Sequence, residues 1–194
     1  MSDSQSFFLT GNEQADHLLA SNPLALVIGM LLDQQVPMEW AFQGPARLAE
    51  RMGGELDAAA IASLDPAELD EMFRQRPAIH RFPGAMAKRV HALCRHLRDR
   101  YDGGADRLWT EARSGQELLE RVRALPGFGD EKARIFVALL AKRFSVQPAG
   151  WEEAAAPFSD DAPRSVADID STETLEQVRS WKRAQKARGK GKAD

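Results

Sequence analysis

The feature that most constrains the fold of this 194-residue chain is a repeated signal for the start of a helix. Asn22 and Asp65 each stand directly before a proline, so a side chain that can cap a helix precedes a residue favoured at the first helical position. Ser114 and Glu117 have the spacing of a capping box. No stretch alternates polar and apolar residues for long, as a half-buried strand would. The pattern predicts an all-α fold.

The same signals give approximate helix boundaries. The helix that follows Asn22 is expected to run to about Gln35, and the one that follows Ser114 to about Ala124. Residues 84–101 place apolar side chains on one stripe and basic ones on the other, which predicts an amphipathic helix. The stripe consists of Met86, Val90, Leu93, Cys94 and Leu97. Residues 145–165 are rich in proline, glycine and small residues, and predict an ordered loop with a short helical turn.

Length and composition limit the organisation of the chain. Its length allows one sizeable core or two small lobes. We expect a single helical domain over residues 1–188, followed by a disordered basic tail over 189–194, where nothing apolar is available to bury. A net charge of −3 argues against a histone-like DNA binder, but basic residues gather in 81–100 while acids gather in 55–71 and 152–176. Such a charge pattern permits a basic binding face, because salt confines the field of each charge to about 10 Å.

Cysteine and histidine usage bears on compartment and cofactors. The single cysteine, Cys94, excludes an internal disulfide and a four-cysteine iron–sulfur cluster. The N-terminal residues lack a basic region before an apolar one, so no secretory signal is expected and the predicted location is cytoplasmic. His91 and His96 are five residues apart with no accompanying carboxylate cluster, so we expect no metal and no cofactor.

The segment 115–143 is predicted to form two helices joined by a five-residue turn. The turn, residues 125–129, reads LPGFG. Proline ends the first helix, and the glycines permit positive φ and remove side chains that would block a close approach. Backbone N–H groups at the start of the second helix attract an anion. The turn is therefore either a corner that needs glycine to turn or a backbone nest that holds a phosphate.

Leu-Pro-Gly-x-Gly before an apolar, alanine-containing helix resembles the DNA-binding hairpin of the helix-hairpin-helix–GPD glycosylases. That superfamily includes endonuclease III, adenine glycosylase and 3-methyladenine glycosylase II. Three further segments are similar to it in the same order, namely NPLALVIGMLLDQQV, RFPGAMAKRVHALCRHL and ELLERVRALPGFG. The resemblance covers roughly residues 20–155. It implies a short member without an iron–sulfur cluster, with a two-lobed all-α fold and the substrate in the groove between the lobes.

The resemblance also implies a partner and a set of contacts. The partner is double-stranded DNA with a damaged or mismatched base, which the protein, as a monomer, flips out of the helix. The implied DNA-binding residues are the turn residues, a lysine counter-charge and a glutamine that fills the gap in the duplex: Leu125, Gly127, Phe128, Gly129, Lys132 and Gln35. A solvated helix-end glutamine is the alternative for Gln35. Trp40 and Phe42 either line a base pocket or belong to the core.

The catalytic pattern departs from the family at two positions. Where strand-nicking members carry a lysine nucleophile, this chain has Glu131, and Lys132 is rotated from it by about 100° around a helix. Lyase activity is therefore not expected, and the implied enzyme is a monofunctional DNA glycosylase. The family's essential aspartate is replaced by Glu152 or its neighbour Glu153, and we assign catalysis to Glu152. The alternatives are a solvated acid pair in a DNA-binding module that has lost its chemistry, or a helical adaptor for other proteins.

Overall fold

The computed structural model describes residues 7–189 of the chain. Within that range the chain forms eleven α-helices and one short 3₁₀ helix and no strand, which confirms the predicted all-α fold. The helices are α1 (Glu13–Ser21), α2 (Pro23–Leu32), α3 (Met38–Arg51), α4 (Ala58–Ser63), α5 (Pro66–Arg74), α6 (Pro83–Tyr101), α7 (Arg107–Thr110), α8 (Gly115–Arg123), α9 (Asp130–Phe144), α10 (Trp151–Ala155), the 3₁₀ helix (Val166–Asp168) and α11 (Thr172–Ala187).

The predicted helix starts are confirmed. The side chain of Asn22 accepts a hydrogen bond from the Ala25 amide (3.1 Å), and Asp65 accepts one from the Ala67 amide (2.8 Å). The Ser114 hydroxyl accepts from the Glu117 amide at 3.1 Å. These side chains satisfy amides that have no partner within the helix.

The described residues divide into two compact units. The first runs to Arg107 and also includes Leu125–Gly127. Its centre is α2, in which every residue from Leu24 to Leu32 is buried. α2 packs against α3, where Phe42 is fully buried. Burial of nearly a whole helix explains why its sequence, PLALVIGMLL, shows no polar face.

The helix α2 is shorter than the sequence predicted. It ends at Leu32 rather than near Gln35, and Asp33 forms its C-cap. The ring nitrogen Nε2 of the buried His80 lies 3.1 Å from the Leu32 carbonyl and 3.0 Å from the Gln34 carbonyl, so a partner distant in sequence binds the carbonyls at the helix end. Gln35 then takes a positive φ of 57°, which a continuing helix does not allow.

The helix α6 has the predicted amphipathic form. Its apolar stripe is buried, and Cys94 within it is fully buried. Burial raises the pKa of the Cys94 thiol far above its ordinary value. Lys88, Arg89 and Arg95 on the same helix are exposed. The first unit therefore keeps a basic surface along a helix whose other side belongs to the core.

The second unit consists of Leu108–Ala124 and the described residues from Phe128 onward. Its centre is α9, buried from Ile135 to Ala141. α8, α10 and the 3₁₀ helix pack against α9. The Lys142 ammonium at the end of α9 lies 2.6 Å from a carboxylate oxygen of Asp168, a largely buried ion pair that joins α9 to the 3₁₀ helix.

The region after α9 agrees with the predicted ordered loop. It contains the short helix α10 and then the 3₁₀ helix, each at most five residues long. In α11, Leu175 and Val178 are buried, whereas most residues of its C-terminal half are exposed. This helix therefore both packs on the second unit and presents a basic surface. The predicted disordered tail, apart from Gly189, lies outside the described residues.

No single helix within residues 7–189 is both long and apolar enough to cross a membrane. Among the described residues only α1 and α2 taken together reach that length and composition, and the chain bends by 115° between them.

Candidate nucleic-acid interface

The predicted hairpin is formed by α8 and α9 with a turn over residues 124–129. Two apolar side chains of the turn are buried: Leu125 is 2% exposed and Phe128 is 6% exposed. The Phe128 ring packs edge-on against Phe136 of α9, with centroids 6.0 Å apart. Leu125 and Phe128 were both predicted to contact DNA. Their side chains belong to the core, so any such contact is made by their backbone atoms.

The first turn glycine, Gly127, is required by its own backbone. Its φ is +86°, in the region that side chains with a Cβ rarely adopt. A Cβ atom at this position would also lie 3.1 Å from Cδ1 of Leu31, at the end of α2. The geometry of the turn is therefore enough to explain the glycine at position 127, and no phosphate needs to be invoked for it.

The second turn glycine, Gly129, is not required by backbone or packing. Its φ of −85° and ψ of 178° are open to any residue. Within residues 7–189, a Cβ atom at Gly129 would have nothing within 4 Å. Gly129 is the N-cap of α9, and no side chain in the described part of the protein caps that helix start. The glycine thus leaves an open approach to the helix N-terminus, where amide groups and the helix dipole favour an anion.

The first residue of α9 is an acid held between two arginines. The Asp130 carboxylate accepts a hydrogen bond from Arg134 Nε at 2.8 Å and another from Arg123. The hydrogen bond from Arg134, together with the positive charges of both arginines, lowers the pKa of Asp130. Arg134 also donates to the Ala154 carbonyl (3.0 Å), which ties α10 to α9. The negative charge of Asp130 is therefore largely balanced within the second unit.

Glu131 and Lys132 follow Asp130 on the first turn of α9. Glu131 is exposed, and Lys132 is partly buried with its ammonium 6.0 Å from the centre of the Phe128 ring. Cation–π contacts reach about this distance. The contact places the Lys132 ammonium over the Phe128 ring of the turn. Its predicted role as a counter-charge for a phosphate stays a prediction.

The proposed catalytic residue, Glu152, lies on the five-residue helix α10. Its side chain is exposed, as is that of Glu153. The backbone carbonyl of Glu152 accepts a hydrogen bond from the Ser159 hydroxyl at 2.8 Å. Within the described part of the chain no hydrogen bond or ion pair reaches the carboxylate of Glu152. Assignment of catalysis to Glu152 therefore stays a prediction.

Gln35 and the two aromatic candidates belong to the first unit. Gln35 is exposed in the segment after α2, where its positive φ directs the chain away from the helix axis. Phe42 is fully buried, and the partly buried Trp40 donates from its indole N–H to the Ala78 carbonyl at 3.3 Å. Both aromatic residues thus have the contacts of structural residues, and Gln35 keeps the exposure that a DNA contact needs.

Sequence patterns did not reveal the surroundings of the first turn glycine. Arg89 of α6 donates a hydrogen bond to the side-chain carbonyl of Gln34, and its Cδ lies 4.0 Å from the position of a Cβ at Gly127. Gln34 and Arg89 are 55 residues apart, so no local motif joins them. The basic character of residues 81–100 was the only signal of this cluster.

Residues that could hold a metal ion do not come together. In the range 7–189 no group of three or more His, Cys, Asp or Glu side chains is arranged for a metal.

The comparisons with known proteins agree with this geometry. A family model described as HhH-GPD superfamily base excision DNA repair protein matches residues 28–190, which include the whole hairpin. The chain belongs to the helix-hairpin-helix–GPD superfamily of base excision DNA repair proteins. The family implies that it binds DNA as its substrate. No curated protein and no solved structure matches the chain.

Proposed function

We propose that the protein is a monofunctional DNA glycosylase, which binds duplex DNA through the hairpin and removes a damaged or mismatched base. The observation that carries the proposal is the open space in front of Gly129. A glycine that neither backbone nor packing requires, at the uncapped start of a 15-residue helix, leaves room for a DNA phosphate. Phosphate contacts of this kind position a protein on the duplex without reading its sequence.

The residues at the start of α9 support base removal without strand cleavage. Strand cleavage by this class of enzyme needs a lysine that forms an imine with the sugar, and Glu131 stands at that position. Hydrolysis instead needs a carboxylate that stabilises the electron-poor sugar and activates water. We assign that role to Glu152. The protein acts as a monomer at the nucleoid in this proposal.

Excision is tested by single-turnover incubation with labelled duplexes that carry alkylated, oxidised or deaminated bases. Alkali treatment then converts each abasic site into a strand break. We expect breaks with at least one duplex after alkali, and none without it. Breaks without alkali would contradict the monofunctional assignment, and intact strands throughout the panel would contradict the glycosylase proposal.

The catalytic assignment has a matched control in the adjacent acid. Glu152→Gln removes the charge of an exposed side chain. We expect this variant to lose excision and to keep the wild-type dissociation constant for DNA. Glu153→Gln removes the same charge one residue away and is expected to retain excision. Loss of activity in Glu153→Gln alone would move the assignment to Glu153.

A second candidate function is a DNA-binding module without chemistry. It is favoured by the exposed Glu152 carboxylate, which no side chain within residues 7–189 orients by a hydrogen bond or an ion pair. Catalytic carboxylates are commonly held by such partners. The module predicts salt-sensitive binding, with a log–log slope of about −0.9 for each phosphate contacted, and no excision. Tight binding together with an inactive lesion panel would favour it.

A further inference from the structure

Gln34 and Arg89 form a side-chain pair at the surface of the first unit. The Gln34 amide donates through Nε2 to the Leu31 carbonyl at 2.8 Å, and its Oε1 accepts a hydrogen bond from Nη1 of Arg89. The glutamine is thus fixed at both ends of its amide group. One end is bound to the last turn of α2 and the other to a guanidinium on α6.

This pair lies beside the first turn glycine of the hairpin. The space in front of Gly127 is bordered by Leu31, whose Cδ1 would lie 3.1 Å from a Cβ there, and by Cδ of Arg89 at 4.0 Å. Leu31 is the residue whose carbonyl holds Gln34. The hairpin turn and the arginine are therefore connected through the same residues at the end of α2.

The side-chain amide of Gln34 binds Arg89 without cancelling its positive charge. An amide holds a guanidinium in place without neutralising it, whereas a carboxylate would cancel its charge. Arg123 and Arg134 illustrate the second case, because both bind the Asp130 carboxylate. Gln34 is the only side-chain hydrogen-bond partner of Arg89 within residues 7–189, so Nε and Nη2 of the exposed guanidinium keep their donors for a ligand.

We propose that Arg89 is a DNA-phosphate ligand beside Gly127, and that Gln34 is the residue that positions it. A guanidinium offers donors in a fork that matches two phosphate oxygens, so a fixed and still charged arginine suits a backbone contact. The inference rests on the proposed binding of duplex DNA by the hairpin. It adds to that proposal a contact made by the first unit and a reason for the glutamine at position 34.

The contact is tested with Arg89→Ala, with Arg95→Ala, another exposed arginine of α6, as the matched control. Binding of the full-length protein to a labelled undamaged duplex is measured across a salt series. Arg89→Ala is expected to weaken binding roughly tenfold and to reduce the salt slope by about 1, because one phosphate contact is lost. Arg95→Ala is expected to leave the slope unchanged. An unchanged slope in Arg89→Ala, or equal reductions in both variants, would overturn the proposal.

The positioning role is tested by a double-mutant cycle. Gln34→Ala is expected to weaken binding in the wild-type background and to have no effect in the Arg89→Ala background, because it acts only through the arginine. Equal weakening in both backgrounds would show that Gln34 supports the fold and not Arg89. Thermal unfolding of each variant identifies a loss of fold.

The same assay separates failure of this inference from failure of the proposed function. Gly129→Ser blocks the open helix start and is measured beside the other variants. If wild-type protein binds and Gly129→Ser weakens binding while Arg89→Ala does not, only the role of Arg89 is rejected. If the wild-type protein does not bind duplex DNA, or Gly129→Ser has no effect, DNA binding by the hairpin itself is rejected.

Discussion

The two helices of the hairpin begin in opposite ways, although each has a glycine at its start. At the start of α8 the Ser114 hydroxyl caps the Glu117 amide, and a Cβ at Gly115 would lie 2.5 Å from backbone atoms of Trp151. At the start of α9 no described side chain caps the helix, and a Cβ at Gly129 would meet no described atom within 4 Å. One helix start is closed by the protein, and the other is left open to solvent.

The difference shows that the role of a glycine at a helix start depends on what occupies the space where a side chain would lie. Gly115 is a packing residue, because another backbone segment occupies the place of its side chain. Packing does not require a glycine at position 129. A ligand that occupies the open space beside Gly129 would explain why a glycine stands there. Both helices begin with amide groups that have no partner within the helix. Only α9 leaves those groups accessible to a phosphate.

The largest expected effect comes from filling the closed helix start. Gly115→Ala places a methyl group against backbone atoms that cannot move aside, so we expect the free energy of unfolding to fall by about 3 kcal/mol. Urea unfolding followed by circular dichroism measures this loss. Gly129→Ala in the same assay is the control, and an equal loss there would remove the distinction between the two starts.

A capping side chain at the open start of α9 is expected to raise the stability of the protein and to weaken its binding of DNA. In Gly129→Ser the hydroxyl caps α9 as Ser114 caps α8, so the free energy of unfolding should rise by a few tenths of a kcal/mol. The same hydroxyl competes with the phosphate for the amides, so affinity for duplex DNA should fall roughly tenfold. Fluorescence anisotropy and urea unfolding measure the two effects. Unchanged affinity in this more stable variant would mean that the open start binds no DNA.

Removing the cap of the closed start gives the complementary result. Ser114→Ala deletes the hydroxyl that binds the Glu117 amide, and we expect a loss of about 1 kcal/mol in the free energy of unfolding. Affinity for DNA should stay unchanged, since the start of α8 is not accessible. A fall in affinity without a matching loss of stability would show that DNA approaches α8 as well.

The smallest effect concerns acid stability at the closed start. A hydrogen bond from the Arg113 amide and further bonds from Arg121 and Arg113 lower the pKa of Glu117 from 4.5 to about 2. A lowered folded-state pKa stabilises the protein above the unfolded value, and that stabilisation is lost as the pH falls from about 4.5 towards 2. Unfolding free energies of Glu117→Gln should vary less with pH over this window. Equal slopes for variant and wild type would contradict the role of Glu117.

The sequence predicted those features of the fold that depend on residues close to one another in the chain. Cap and proline signals located the helix starts at Asn22, Asp65 and Ser114, because a cap acts over three residues. The apolar stripe of α6 was predicted from helical periodicity for the same reason. Glu117 was expected to complete a capping box by bonding back to Ser114. Its carboxylate instead binds the amide and guanidinium of Arg113, one residue earlier.

Features that depend on distant partners were not predictable. The end of α2 depends on His80, which is 48 residues from Leu32, so the helix was predicted to be too long. The Gln34–Arg89 pair was not predicted either, because its two residues are 55 positions apart. The two turn glycines look alike in the sequence, and only the surroundings of each distinguish a required glycine from an open one. The family was identified from the order of its motifs, whereas the site residues stay predictions.

Cys94 gives this protein a built-in reporter of local opening. It is the only cysteine of the chain, fully buried on α6 in the first unit. Thiol reagents react with the thiolate, which burial suppresses, so modification requires the first unit to open. The rate of labelling in native protein therefore measures the opening equilibrium of that unit, with no engineered probe. Comparison with global unfolding then shows whether the first unit opens by itself or only when the whole chain unfolds.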